Sequence, residues 1–230
     1  DLDHPAVDKQ YSVPRDNPYV NDRRFVPETW AYGFRNPWRI TADAKTGHIW
    51  VGNNGQDQWE QAFLVRKGAN YGWSVTEGGH PFLTQRAAGP HPIAKPTIEH
   101  PHSEFRSLTG GIVFYGEQFP ELEGAYLYGD YATGRIWAMK HNGTSPVWHK
   151  ELASSRLQIT NFAQNHRGEL IICDHSPRGG LYTLEPVPAE SRVTKFPKKL
   201  SESGLFESVR DHRMKPGVVP YSVNAPFWSD

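Results

Sequence analysis

Residues 30–73 read WAYGFRNPWRITADAKTGHIWVGNNGQDQWEQAFLVRKGANYGW. Two turns stand out: Arg35-Asn36-Pro37, and the loop Asn53-Asn54-Gly55-Gln56-Asp57, which is rich in side-chain and backbone oxygens. Between them, Ile49-Trp50-Val51 is bounded by Gly47 and Gly52. Three consecutive apolar residues between turn formers read as a short strand buried on both faces. The arrangement is Gly, any residue, three apolar residues, a small residue, then Asn or Asp. It returns at Gly124-Ala125-Tyr126-Leu127-Tyr128-Gly129-Asp130 and at Gly168-Glu169-Leu170-Ile171-Ile172-Cys173-Asp174. That repetition decides the fold.

Each copy is preceded by an apolar run (Trp38 to Thr41, Gly111 to Tyr115, Ile159 to Phe162) and followed by another (Glu60 to Val65, Gly134 to Met139, Gly180 to Leu184). Each unit is therefore expected to hold three or four short antiparallel strands. Gly124 and Gly168 lie 44 residues apart, within the roughly 40–50-residue period of propeller blades. Gly47 and Gly124 lie 77 apart, so the first unit carries an insertion, placed within 77–105, with Thr97-Ile98-Glu99 as its strand candidate. The expected fold class is all-β: three blades of a β-propeller and an irregular tail. Three blades do not close a ring. Further blades before Asp1 are the favoured completion, over pairing with a second chain.

Composition agrees. The chain has 230 residues with 21 Gly, 19 Pro and 13% aromatics, a balance of turn formers and residues that suit pleated surfaces. Lys plus Arg and Asp plus Glu are 25 each, so no net field steers it to nucleic acid or an anionic membrane. One cysteine, Cys173, excludes an internal disulfide and a cysteine metal cage; after Leu170-Ile171-Ile172 it reads as a small buried hydrophobe. No apolar run reaches the roughly 18–20 residues of a membrane helix. Residues 1–29 are polar and Pro-rich and read as a long connection. The partial propeller is set at 1–186. Residues 187–230 are read as a linker and the start of a following domain, with a helical candidate at Ser203 to Val209 and unrepeated aromatics at 220–228.

Two places could carry chemistry. The Arg35 fork matches a carboxylate through two bonds, or it could simply bond loop carbonyls. Asn53 to Asp57 could offer oxygens to a hard cation, or form a plain polar turn. His80, His91, His100 and His102 cluster in the insertion but lack zinc spacing, and Pro-rich loops favour exposed histidines. No nucleophile elbow, P-loop or dinucleotide fingerprint occurs.

Tyr32-Gly33-Phe34-Arg35-Asn36-Pro37-Trp38-Arg39, Asp43 with Thr46-Gly47, Gly55-Gln56-Asp57 with Trp59-Glu60, and Asn70-Tyr71-Gly72-Trp73 resemble, in order, the glucose/sorbosone dehydrogenase family. Leu108-Thr109-Gly110-Gly111, Tyr128-Gly129-Asp130-Tyr131 and Gly134-Arg135-Ile136-Trp137 extend the match, which covers about residues 11–185. The resemblance implies a six-bladed propeller, pyrroloquinoline quinone (PQQ) with calcium, oxidation of a sugar or other alcohol by hydride transfer, and a secreted or periplasmic location. It makes Arg35 and Asn36 cofactor contacts, and the main-chain oxygens of Gly55 and Gln56 calcium ligands. The family's catalytic base is a His from an earlier blade, outside this chain, so the isolated chain is expected to be inactive; His102 is the base candidate within it. Where the enzymes carry a cofactor-binding Lys and an Arg pair, this chain has Ala132, Gln158 and Thr160. Two readings follow: a quinone-dependent dehydrogenase half-site whose partners are its small-molecule substrate and the remaining blades, or a binding propeller that kept the scaffold and lost the cofactor, as in the hedgehog-interacting proteins that resemble the same family. The tail resembles the start of a module that follows such propellers in large bacterial secreted proteins. Without Cys-x-x-Cys-His, no haem is assigned to it.

Overall fold

The repeat strands form in register with the turns that bound them. In a computed structural model, which describes residues 1–187, 197 and 199–218, the chain separates into two units, Asp1–Leu184 and Glu185–Asp230. The first contains β1 (Asn36–Ala42), β2 (Ile49–Asn54), β3 (Trp59–Val65), the two-residue pair β4 (Thr76–Glu77) and β5 (His80–Pro81), and β6 (Ile98–Pro101). There follow β7 (Leu108–Phe114), β8 (Ala125–Asp130), β9 (Arg135–His141), β10 (Pro146–Ser154), β11 (Ile159–Gln164), β12 (Leu170–Asp174) and β13 (Gly180–Tyr182). They make three antiparallel sheets in the orders β1-β2-β3-β6, β7-β8-β9-β10 and β11-β12-β13. These are three propeller blades. The insertion supplies β6, the outer strand of the first blade, and the β4–β5 hairpin, which the sequence pattern did not announce.

Blade 2 carries the cores on both its faces. On one side Trp50, Ala62, Ile98 and Phe105 of blade 1 pack with Tyr126, Tyr128 and Met139. On the other, Leu127, Ile136 and Ala138 pack with Ile159, Phe162, Leu170 and Ile172 of blade 3. The alternation along β8 sends Tyr126 and Tyr128 one way and Leu127 the other, as a period of two requires. Trp50 stacks on Tyr126 with centroids 4.4 Å apart and planes 6° off parallel, a contact worth ~0.5–1.5 kcal/mol beyond its area. Between blades 1 and 2 the backbones touch: a Cβ on Gly52 would stand 2.6 Å from the Gly110 Cα.

Three expectations need correction. The strands of the first two repeats are buried on both faces, but β12 alternates, with Ile171 and Cys173 half-exposed; its second face has no blade against it among the described residues. Cys173 is accordingly no core residue. Ser203 to Val209 is not a helix: a 3₁₀ turn at Leu200–Glu202 gives way at Gly204 (φ 74°) to strand β14 (Phe206–Ser208), paired with β15 (Arg213–Met214), because a left-handed glycine ends a helical run. The aromatics at 220–228 lie outside the described residues. Residues 1–29 form turns as expected, but they are anchored: Tyr19 is buried and donates to the Gly68 carbonyl at 2.6 Å.

Candidate functional site

The Asn or Asp that closes each repeat does the same job three times. Asn53 Oδ1 accepts the N–H groups of Arg35 and Asn36 at 3.1 and 3.0 Å. Asp130 Oδ2 accepts those of Arg106 and Ser107 at 2.8 and 2.6 Å, and Asp174 Oδ1 that of Gln158 at 2.8 Å. Each fixes the turn that leads into β1, β7 or β11, the strands through which neighbouring blades meet. A β-bulge follows in each of them: the pairing skips Trp38, Thr109 and Thr160. A bulge bends the strand and re-aims the extra side chain. All three bulge residues line one cleft of about 620 Å³.

Arg35, Asn36, Gly55, Gln56 and His102 line this same cleft. Arg35 Nε donates to Gln56 Oε1 at 2.8 Å, and Nη1 lies 3.5 Å from the Asn54 carbonyl oxygen. Its guanidinium carbon stands 5.7 Å from the Trp73 ring centre. The loop after β2 is held from behind by two acids. Glu77 Oε1 accepts the N–H groups of Gln56, Asp57, Gln58 and Trp59 at 2.6, 2.8, 3.1 and 3.3 Å. Burial alone would raise the Glu77 carboxyl, but those four donors outweigh it and hold its pKa below the usual value. Gly55 has no room for a side chain, since a Cβ would fall 1.7 Å from the Trp59 carbonyl oxygen.

Glu60 is the second acid and the residue that sequence reasoning missed as a site member. It is 1% exposed. Its carboxylate accepts from Leu108 N–H at 2.8 Å, Asn54 Nδ2 at 3.0 Å and Gly55 N–H at 3.3 Å, and pairs with His102 Nε2 at 3.0 Å. Burial pushes its pKa up, and these donors offset only part of that. Glu60 thus ties the Gly55 loop and His102 into one rigid wall. Arg106 was also missed. It occupies in blade 2 the place of Arg35 in blade 1, three residues before the bulge, a spacing visible once the two strands are aligned.

Of the remaining histidines, His100 is 2% exposed, against the expectation for a Pro-rich loop. Its Nδ1 pairs with Glu104 Oε2 at 2.9 Å and its Nε2 with the Tyr128 hydroxyl at 2.6 Å, which also meets His149 Nε2 at 2.6 Å. His80 stacks on Trp59 with centroids 3.9 Å apart, and His91 bonds the Tyr32 hydroxyl.

The donor set suits a hard cation and an anionic ligand. The N–H groups of Gly55 and Gln56 are taken by Glu60 and Glu77, while no described residue donates to their carbonyl oxygens. Among the described residues no three His, Cys, Asp or Glu side chains converge on a metal position, so an ion here would rely on carbonyl and ligand oxygens, the kind of donor calcium takes. Arg35 and Arg106 are the guanidinium groups lining the cleft. Ala132, Gln158 and Thr160 add no charge.

The profile of the Glucose / Sorbosone dehydrogenase family matches residues 6–183. The chain is 36% identical over 141 residues to the HIPL1 protein of Arabidopsis thaliana (56% of this chain, 20% of that protein). It is 24% identical over 185 residues to the aldose sugar dehydrogenase YliI of Escherichia coli (77% and 49%), and 26% identical over 245 residues to the human Hedgehog-interacting protein (94% and 32%). Among solved structures, a glucose dehydrogenase superposes with a TM-score of 0.62 at 23% identity, covering 78% of this chain and 53% of that one. The PQQ-bound aldose sugar dehydrogenase of Streptomyces coelicolor gives 0.50 at 18%, covering 67% and 42%. The chain thus spans about half, or less, of each of these proteins, and it belongs to the glucose/sorbosone dehydrogenase family.

Proposed function

We propose that this chain is the part of a sugar or alcohol dehydrogenase propeller that holds PQQ and calcium. The carrying observation is that Arg35, Asn36, Gly55 and Gln56 line one cleft, with Arg35 bonded to Gln56. The Arg35 and Arg106 guanidinium groups and the Asn36 amide would meet the quinone's carboxylates, and the Gly55 and Gln56 carbonyl oxygens the calcium. When bound, the quinone supplies the hydride acceptor and calcium polarises its carbonyl. With Glu60 accepting a hydrogen bond from His102 Nε2–H, the ring takes the tautomer whose Nδ1 carries the lone pair. A substrate hydroxyl can then lose its proton either to His102 or to a histidine of an earlier blade. The exposed Trp38 ring, 59% accessible, offers the apolar face of a sugar a surface within the same cleft. The family resemblance supports a secreted or periplasmic location; no helix among the described residues is long and apolar enough to cross a membrane.

One observation favours a second reading, a binding propeller without cofactor. Ala132, Gln158 and Thr160 leave Arg35 and Arg106 to balance a trianion. Reconstitution decides between them. Full-length protein supplied with PQQ and calcium is expected to show a bound-cofactor absorption band and to reduce an electron-accepting dye with an aldose. Neither band nor dye reduction with any aldose would leave the binding reading.

A further inference from the structure

Beneath the cleft, where the three blades meet, two buried donors face no acceptor. Arg39 on β1 pairs in register with Gly52 and reaches across to blade 3, where Nη2 donates to the Thr160 carbonyl at 3.3 Å. Its Nε is buried and has no hydrogen-bond partner among the described residues. Tyr126 on β8 is 1% exposed, and its hydroxyl, buried beside the Gly111 N–H, has no acceptor for its proton. The two groups flank Gly110: a Cβ on that glycine would lie 3.1 Å from Arg39 Cβ and 3.4 Å from Tyr126 Oη. No carboxylate pairs with Arg39 among the described residues, although exposed arginines elsewhere in the chain find one, as Arg24 does in Asp22.

A guanidinium can only donate, and a neutral phenol has one proton to donate. Burial pushes the Tyr126 pKa well up, so that proton stays on at neutral pH. A buried donor left unpaired calls for an unseen partner, and these two are among seven buried side-chain polar atoms without one among the described residues. One partner accepting from both would satisfy the two together. An anion would also meet the positive charge of Arg39, which is half-buried and has no carboxylate beside it among the described residues.

We infer that Arg39 Nε and Tyr126 Oη hold a small inorganic anion of the halide class, chloride in the first instance, which pins blades 1, 2 and 3 together beneath the cleft. It is bound as a structural ion and takes no part in redox chemistry. The inference is independent of whether the cleft above binds quinone.

Bromide replaces chloride and is located by its anomalous scattering. Crystals of the full-length protein grown in sodium bromide are expected to show one anomalous peak within hydrogen-bond reach of Arg39 Nε and Tyr126 Oη. In solution, Tm is measured in sodium chloride and in sodium methanesulfonate at equal ionic strength. Chloride at roughly ten times its dissociation constant is expected to raise Tm by about 3 °C. The Tyr126→Phe variant, which keeps the ring stack on Trp50, is expected to lose most of that difference, and Arg39→Met all of it. Should Arg39→Met fail to fold, Tyr126→Phe and the bromide map still decide. A water at the position with no anomalous signal overturns the proposal. So does a bromide peak accompanied by equal Tm values in the two salts, which would mark an adventitious ion only.

Discussion

Glu60 shows how one side chain can carry a whole wall of a site. Four donors from β2, the Gly55 loop, β7 and His102 converge on its two oxygens. A glutamine has the same shape but a single acceptor oxygen, and its amide would point N–H groups at N–H groups. Glu60→Gln is therefore expected to lower stability by about 1–3 kcal/mol, the cost of leaving buried donors unpaired, as read from urea unfolding; an unchanged midpoint would show that the wall does not depend on the carboxylate. Gly55 is constrained differently. With the Trp59 carbonyl oxygen 1.7 Å from where a Cβ would sit, Gly55→Ala must push the loop off Glu77. It is expected to cost about 1–3 kcal/mol by overpacking, and to weaken calcium binding in the full-length protein more than a Gln56→Ala change, which keeps the backbone. Equal calcium affinities for the two variants would remove the main-chain role assigned to this loop.

At the scale of elements, the joint between blades 1 and 2 is sensitive to acid through its histidines. His100 on β6 and His149 on β10 share the Tyr128 hydroxyl, with their ring centroids 5.5 Å apart. Burial lowers the pKa of His100; His149 is exposed overall, but its ring edge is desolvated against Tyr128 and His100, which together with the charge of His100 brings it down to about 4. A histidine whose folded pKa lies below its unfolded value binds fewer protons in the native state. Stability is then full above the unfolded value near 6.5 and declines as pH falls towards 4. Glu60 acts in the opposite sense, since its raised pKa lets the native state take a proton early. Urea midpoints are expected to fall between pH 7 and pH 4.5, and His149→Gln, which can still bond Tyr128, to flatten that slope. A slope unchanged in His149→Gln would place the acid sensitivity elsewhere. The strands of this joint were legible in the sequence, because Gly-x-apolar-apolar-apolar runs leave little choice of element. Its polar network was not. The pairing of His100 with Tyr128 spans blades, and nothing local to Ile98-Glu99-His100 says that the ring turns inward. The bulges at Trp38, Thr109 and Thr160 escaped for a related reason: one extra residue is defined by the partner strand, not by its own sequence. By contrast Arg35 and Gly55 came together in one cleft as the repeat required, since both flank the same hairpin-linked strands.

Across the whole molecule, burial is graded from the middle blade outwards. Every residue of β8 is buried, whereas β1 alternates towards solvent along one face and β13 is exposed throughout. Both cores draw on blade 2, one shared with blade 1 and the other with blade 3. An isolated set of three blades should therefore open from its ends, because a strand with one covered face loses its neighbours at little cost in buried area. Native-state hydrogen exchange on this chain is expected to protect β8 and the adjoining residues of β9 most strongly, with β13 exchanging first and β1 next. If further blades close the ring in the full-length protein, the protection of β12 and β13 is expected to rise there towards that of β8, while β8 itself changes little. If β13 is as slow in the isolated chain as in the whole protein, its bare face is covered by something other than a fourth blade. That outcome would also move the cleft from the axis of a ring to the edge of a smaller, self-contained unit.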